Sequence, residues 1–149
     1  MPALDELYRE VILEHYKSPR NRGQLPEPDV ATRGHNPLCG DEIEISVMIK
    51  DGIVSDLRFQ GRGCSISQAS ASMLTEAVKG KSVEQARHLI DEFKSMMHGE
   101  DAVDEELGDI EALQGVRKYP VRIKCALLAW TTLQEGLDLY EKSAARVSQ

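Results

Sequence analysis

Four residues carry the chemistry this sequence offers: Cys39 and Asp41 in "NPLCGD", Cys64 in "GRGCS" and Cys125 in "VRIKCALL". Three thiols are an odd number for a disulfide framework, and reduced cysteines more often hold a metal or act as nucleophiles. Cys39 sits in a turn framed by Pro37-Leu38 and Gly40-Asp41, just before a segment that alternates like a strand. A thiol kept only for packing would sit inside that strand. Cys64 follows Gly61 and Gly63 and precedes an expected helix start, where free N–H groups and the helix dipole favour a thiolate. Cys125 falls in the first turns of the last expected helix, beside Arg122 and Lys124.

Those residues need elements that bring them together. Residues 43–49 alternate Ile43, Ile45, Val47 and Ile49 with Glu44, Ser46 and Met48, the pattern of a half-buried strand. A second strand is expected from Ile53 to about Gln60, with Ile53, Leu57 and Phe59 on one face. A two-residue Asp51-Gly52 turn would place Ile45 opposite Arg58 and Val47 opposite Asp56. A three-residue loop, Lys50-Asp51-Gly52, instead pairs Ile49 with Ile53, Ile45 with Leu57 and Ile43 with Phe59, and is the expected connection. In the hairpin the residues flanking the paired strands, Asp41 and Gly61, emerge at the same open end, which draws Cys39 and Cys64 together. Cys125 can join them from the last helix. Three thiolates and a carboxylate suit a tetrahedral Zn²⁺, and Arg62, Arg122 and Lys124 are near enough in sequence to offset the excess negative charge. The plainer alternative makes Cys64 and Cys125 small apolar fillers. His35 is a spare donor in sequence, and Arg122 is either a counter-charge or a group that docks or activates a partner.

The remaining pattern is helical. Leu4, Leu7, Tyr8, Val11 and Ile12 give residues 4–17 an amphipathic period, and Pro19 ends it. Residues 21–29 read as an extended connector. Ser65-x-x-Gln68 and Ser82-x-x-Gln85 are capping-box patterns that open helices over 66–78 and 83–97, with Gly80 and Gly99 as terminators. Phe93, Met96 and Met97 are core candidates, and His15 with Tyr16 reads as helix-end packing. A short acidic helix is expected within 103–112 and a final one from Pro120 to about Ala144, with Trp130, Leu133, Leu137 and Tyr140 on one stripe. The expected fold is α+β: a small antiparallel sheet packed against helices, with 1–149 as one domain.

Composition excludes other classes. A net charge of −7 argues against a nucleic-acid partner. Seven acids and no base fall within 99–115, so the rest of the chain is neutral, and a solvated helix face is the simplest reading of that run. No apolar run approaches the roughly 20 residues that cross a bilayer, and the acidic, amphipathic start is no secretory signal, so a cytoplasmic protein without a membrane partner is expected.

At these motifs the sequence resembles a known family. "LYREVILEHYKSPRNRG" (7–23), "HNPLCGDEIEI" (35–45), "GRGCSISQASASML" (61–74) and "VRIKCALLAW" (121–130) are similar to the IscU/NifU-N iron–sulfur cluster assembly proteins, whose fold is described as SufE/NifU-like or IscU-like. Within it the chain resembles the SufU branch. The Cys64–Cys125 interval is long and contains the acidic segment, Lys124 stands where IscU-type scaffolds carry a histidine ligand, and "CALLAW" replaces their chaperone-binding motif. The resemblance implies a zinc protein with Cys39, Asp41, Cys64 and Cys125 as ligands. Cys39 would be the acceptor of persulfide sulfur from a pyridoxal-phosphate cysteine desulfurase of SufS type, with downstream iron–sulfur assembly proteins as further partners. Two alternatives stay open: a scaffold on which the same residues hold a transient [2Fe–2S] cluster, and a purely structural zinc module.

Overall fold

The alternating residues of the hairpin form its two long strands, and a third strand completes the sheet. A computed structural model of the chain describes residues 2–37, 40–99 and 105–147. In order, the elements are α1 (Pro2–Lys17), β1 (Val30–Asn36), β2 (Asp41–Lys50), β3 (Ile53–Arg62), α2 (Ser65–Val78), α3 (Val83–Met97), a 3-10 segment (Glu105–Lys118) and α4 (Pro120–Val147). The strands make one antiparallel sheet in the order β1-β2-β3. Helix α4 lies across β1 and β2 and α2 against β3, while α1 packs on α2 and α3 on α4. This is the expected α+β architecture.

The expected three-residue hairpin loop does not form. Lys50 pairs with Ile53, so the turn is Asp51-Gly52, with positive φ at both residues (54° and 76°) as the tightest hairpin turn requires. Continued straight, that ladder would set Ile45 against Arg58. A bulge prevents it: Ile49 pairs with Val54 but Met48 with Asp56, and Ser55 is the extra residue, its hydroxyl donating to Met48 O at 3.2 Å. Beyond the bulge Val47 meets Leu57 and Ile45 meets Phe59, all four buried. The extra residue also exchanges faces, so Val54 is fully buried while Ile53, expected inside, is 39% exposed.

Strand β1 has no counterpart in the sequence reading. Its inward positions are Thr32, Gly34 and Asn36, small or polar residues that show no apolar alternation. They suit α4, which crosses so closely that a side chain at Gly34 would overlap the Thr132 hydroxyl, and Thr32 Oγ1 donates to Thr132 O at 2.9 Å.

The helix ends divide. The Ser82/Gln85 capping box forms in both directions, and Gly80 and Gly99 follow the ends of α2 and α3 with φ of +86° and +104°. The Ser65/Gln68 box does not form, because α2 starts one residue early with Cys64 as its N-cap. Gln68, left without that role, is buried with no partner for Nε2. The 3-10 segment runs beyond the short helix expected within 103–112, of which residues 103 and 104 lie outside the described residues. On α4, Trp130, Leu133 and Leu137 are fully buried, and Trp130 stacks on Phe93 at 4.3 Å between ring centroids. Met96 and Met97 are core, as expected. His15 is buried with Nδ1 2.8 Å from Ser72 Oγ, whereas Tyr16 is exposed.

The bulge makes a test. Val54→Ala is expected to cost about 2 kcal/mol of stability in urea unfolding. Ile53→Ser should shift it by less than about 0.5 kcal/mol. The three-residue loop would reverse that order.

Candidate metal and thiol site

Asp41 opens β2 at the end of the sheet remote from the turn, and β3 leaves the same end through Gly61 and Gly63. Because the bulge advances the register, Glu42 pairs with Arg62, and Asp41 sits beside Gly63 and Cys64 rather than opposite Gly61. The Asp41 side chain is fully buried. Its Oδ1 accepts the backbone N–H of Cys64 at 2.9 Å, and Oδ2 lies 3.5 Å from Cys64 Sγ. Cys64 is half-buried at the N-cap of α2, and its thiol makes no capping hydrogen bond to the helix. Ser67, one turn on, donates its hydroxyl to Cys64 O at 3.1 Å and stands 3.9 Å from Cys64 Sγ.

Cys125 arrives from early in α4 and is fully buried, with Sγ 3.7 Å from Val121 O and 4.0 Å from Asn36 Nδ2. One oxygen of Asp41 and the sulfurs of Cys64 and Cys125 all lie within 4.8 Å of one another. Among the described residues no other group of three or more His, Cys, Asp or Glu donors meets in this way. Cys39, the fourth expected donor, lies outside the described residues. The chain resumes at Gly40, whose φ is +72° and whose N–H donates to Asn36 O at 2.8 Å. His35, the spare donor in sequence, is exposed on β1 opposite Glu42 and is not part of the group.

Of the three bases considered as counter-charges, Arg122 is the one whose charge reaches the sulfurs. Its guanidinium is pushed above its ordinary pKa, first by the negative charge of Cys64 and a hydrogen bond to it, then by Cys125. Arg62 instead faces Glu42 at 3.4 Å, and Lys124 is exposed. Beside the thiols lies an open groove of about 1200 Å³, lined by Cys64, Ile12, Leu13, Val116, Tyr119 and Arg122. Arg9 and Lys118 add two further cations to its wall. Sequence reasoning missed Asn36 and Ser67 at the site. The one available signal was position: Asn36 stands three residues before Cys39 in sequence, and Ser67 is one helical turn from Cys64.

The chain is similar to known proteins over nearly its whole length. The family described as NifU-like N terminal domain matches residues 7–146. The chain is 52% identical over 135 residues to the zinc-dependent sulfurtransferase SufU of Bacillus subtilis, covering 90% of this chain and 91% of that protein. It is 45% identical over 138 residues to the iron–sulfur cluster assembly scaffold protein IscU of Streptococcus pyogenes, covering 92% of this chain and 86% of that one. Among solved structures, the N-terminal part of a nitrogen-fixing NifU-like protein from Brucella abortus superposes with a TM-score of 0.86 at 27% identity, covering 93% of this chain and 96% of that one.

The Arg122 geometry predicts a charge effect on Cys64. In metal-free protein, Arg122→Gln should slow iodoacetamide alkylation of Cys64 severalfold, and raising the salt should narrow the difference, since exposed charges are screened. Equal rates at low salt would show that the guanidinium does not act on the thiol.

Proposed function

The chain belongs to the family of NifU-like N terminal domains, and on that footing we propose that it accepts persulfide sulfur from a cysteine desulfurase for iron–sulfur cluster biosynthesis, working as a zinc protein. The observation that carries this reading is the meeting of Asp41, Cys64 and Cys125 donor atoms within 4.8 Å, drawn from three elements far apart in sequence. Cys39, two residues before Asp41 in sequence, would complete a set of three sulfurs and one oxygen. That donor chemistry fits Zn²⁺, which takes sulfur at about 2.3 Å and carboxylate oxygen at about 2.0–2.2 Å in four-coordinate sites. When bound, zinc would keep these thiols deprotonated at neutral pH.

The transfer itself belongs to Cys39. Its thiolate attacks the sulfane sulfur of the desulfurase persulfide, a new S–S bond forms on Cys39, and the old one breaks. The electron pair leaves on the desulfurase cysteine as thiolate, so no external oxidant or reductant enters. Gly40 supports mobility at this point: its φ is +72°, and among the described residues nothing lies within 4 Å of where a side chain would project. Asp41 meanwhile stays tied to the Cys64 N–H. The groove beside Cys64 offers the desulfurase, a SufS-type enzyme, its docking surface. Leu13, Tyr119 and Val121 expose apolar area there, and Arg9, Lys118 and Arg122 present positive charge. No helix of the described residues is long and apolar enough to cross a membrane, which is compatible with work in the cytoplasm alongside downstream assembly proteins.

A second reading, a scaffold for a [2Fe–2S] cluster, is favoured by the Streptococcus pyogenes relative, which is named as such. Lys124 speaks against it, since its ammonium has no lone pair to offer iron at neutral pH.

Two experiments test the proposal. Protein as isolated should hold one zinc per chain and no visible chromophore, and Cys64→Ser, Cys125→Ser and Asp41→Ala should each lower the zinc content. A brown protein carrying iron and sulfide would favour the scaffold. Adding the wild-type chain should raise alanine production by a cognate desulfurase, and Cys39→Ala should abolish the rise. Gly40→Ala, which keeps the N–H that donates to Asn36 O, should retain zinc while accepting sulfur poorly; full acceptance with full zinc would remove the mobility argument.

A further inference from the structure

Asp41 is the sole oxygen donor among the four residues, and what seats it is the absence of a side chain opposite. A methyl group at Gly63 would overlap Asp41 Oδ1 and stand 2.7 Å from both Asp41 Cγ and Ser67 Oγ. Ordinary contact for such atoms is about 3.5–4.0 Å. Neither neighbour is free to withdraw. Asp41 is fully buried with Oδ1 fixed on the Cys64 N–H, and Ser67 is fully buried with its hydroxyl on Cys64 O.

We infer that Gly63 is a positioning residue of the thiol site: its missing side chain is the seat that aims the Asp41 carboxylate at the Cys64 N–H with one oxygen and at the sulfurs with the other. Gly61, two residues earlier, does something else. A methyl group there would strike the backbone of β2, overlapping Glu42 O and lying 2.9 Å from Glu42 C and 3.0 Å from Ile43 Cα. Gly61 lets the strands close, whereas Gly63 lets a carboxylate in. The two glycines of "GRG" therefore separate into one for the sheet and one for the site.

The inference concerns the metal only through the zinc reading, while the Asp41–Cys64 contact stands on the protein alone, so the test has two arms. In metal-free, ¹⁵N-labelled protein, the Cys64 amide should move upfield and exchange faster in Gly63→Ala, as it should in Asp41→Ala. An unmoved Cys64 amide in Gly63→Ala overturns the inference. In competition with a chromophoric chelator, Gly63→Ala should weaken zinc binding about 10–100-fold, the usual scale for losing a group that orients a ligand. In an Asp41→Ala/Ser67→Ala background, where both groups the methyl would strike are gone, the same change should alter affinity by less than about twofold. Equal losses in both backgrounds overturn the inference. Should Gly63→Ala fail to fold, Gly63→Ala/Asp41→Ala/Ser67→Ala should fold again, both clashing groups removed, and a triple variant that stays unfolded also overturns it. If wild-type protein takes up no zinc, the zinc reading falls while the amide arm still decides the role of Gly63.

Discussion

The hydrogen bond from the Cys64 N–H to the Asp41 carboxylate is the contact on which the site depends. A buried carboxylate is costly unless its oxygens are satisfied, and here satisfaction comes from the positive end of α2. The same bond relieves Cys64 of a duty. In a local capping box, a side chain three residues into the helix accepts the N-cap N–H. Asp41 does so from another element, across 23 residues of sequence separation. The Cys64 thiol makes no capping bond either, so it remains available for chemistry. A helix start and a metal-capable cluster are built by one interaction.

That interaction needs β2 and β3 in the right register at their far end, where the bulge matters. With the Asp51-Gly52 turn and no bulge, every pair beyond it would be one step out and the apolar faces would oppose charged residues. Ser55 absorbs the mismatch, restores Val47–Leu57 and Ile45–Phe59, and carries Gly63 to the side of Asp41. Packing of the core and assembly of the site thus impose the same register. A slip of one residue would damage both, which makes the register strongly specified.

How much of this could be read from sequence followed from how far each signal is local. The α1, α3 and α4 helices, the Ser82 box and the terminating glycines are decided within one or two turns of chain, and they stand where expected. The meeting of Asp41 and Cys64 was also foreseeable, since it needs only that a hairpin has an open end, whereas the sequence allowed but did not require Cys125 to join them from α4. The bulge was not, because a two-residue turn and an apolar ladder conflict only if the ladder is assumed continuous. Strand β1 was hidden since its inward face is Thr32, Gly34 and Asn36, chosen for the close crossing of α4 rather than for hydrophobicity. The Ser65 box misled because its local pattern competes with Asp41, a tertiary partner that no window around residue 65 contains.

The donors also differ in freedom, and the difference follows from the backbone that carries them. Asp41 begins a strand and is bonded to another element; Cys125 is fully buried within a long helix; Cys64 is fixed at an N-cap. A residue so held can bind an ion but cannot travel to meet a partner's sulfur. Cys39 follows Pro37-Leu38 and precedes a glycine with positive φ and open space around it. On the proposed reading, three anchored donors would retain the zinc while Cys39 departs, and a thiol that departs is one that can react. A site meant only to brace the fold would gain nothing from that asymmetry, since it would serve best with every ligand on regular structure. On the proposed function, a thiol set in sequence between Leu38 and Gly40, beside three anchored donors, is the arrangement that sulfur transfer requires.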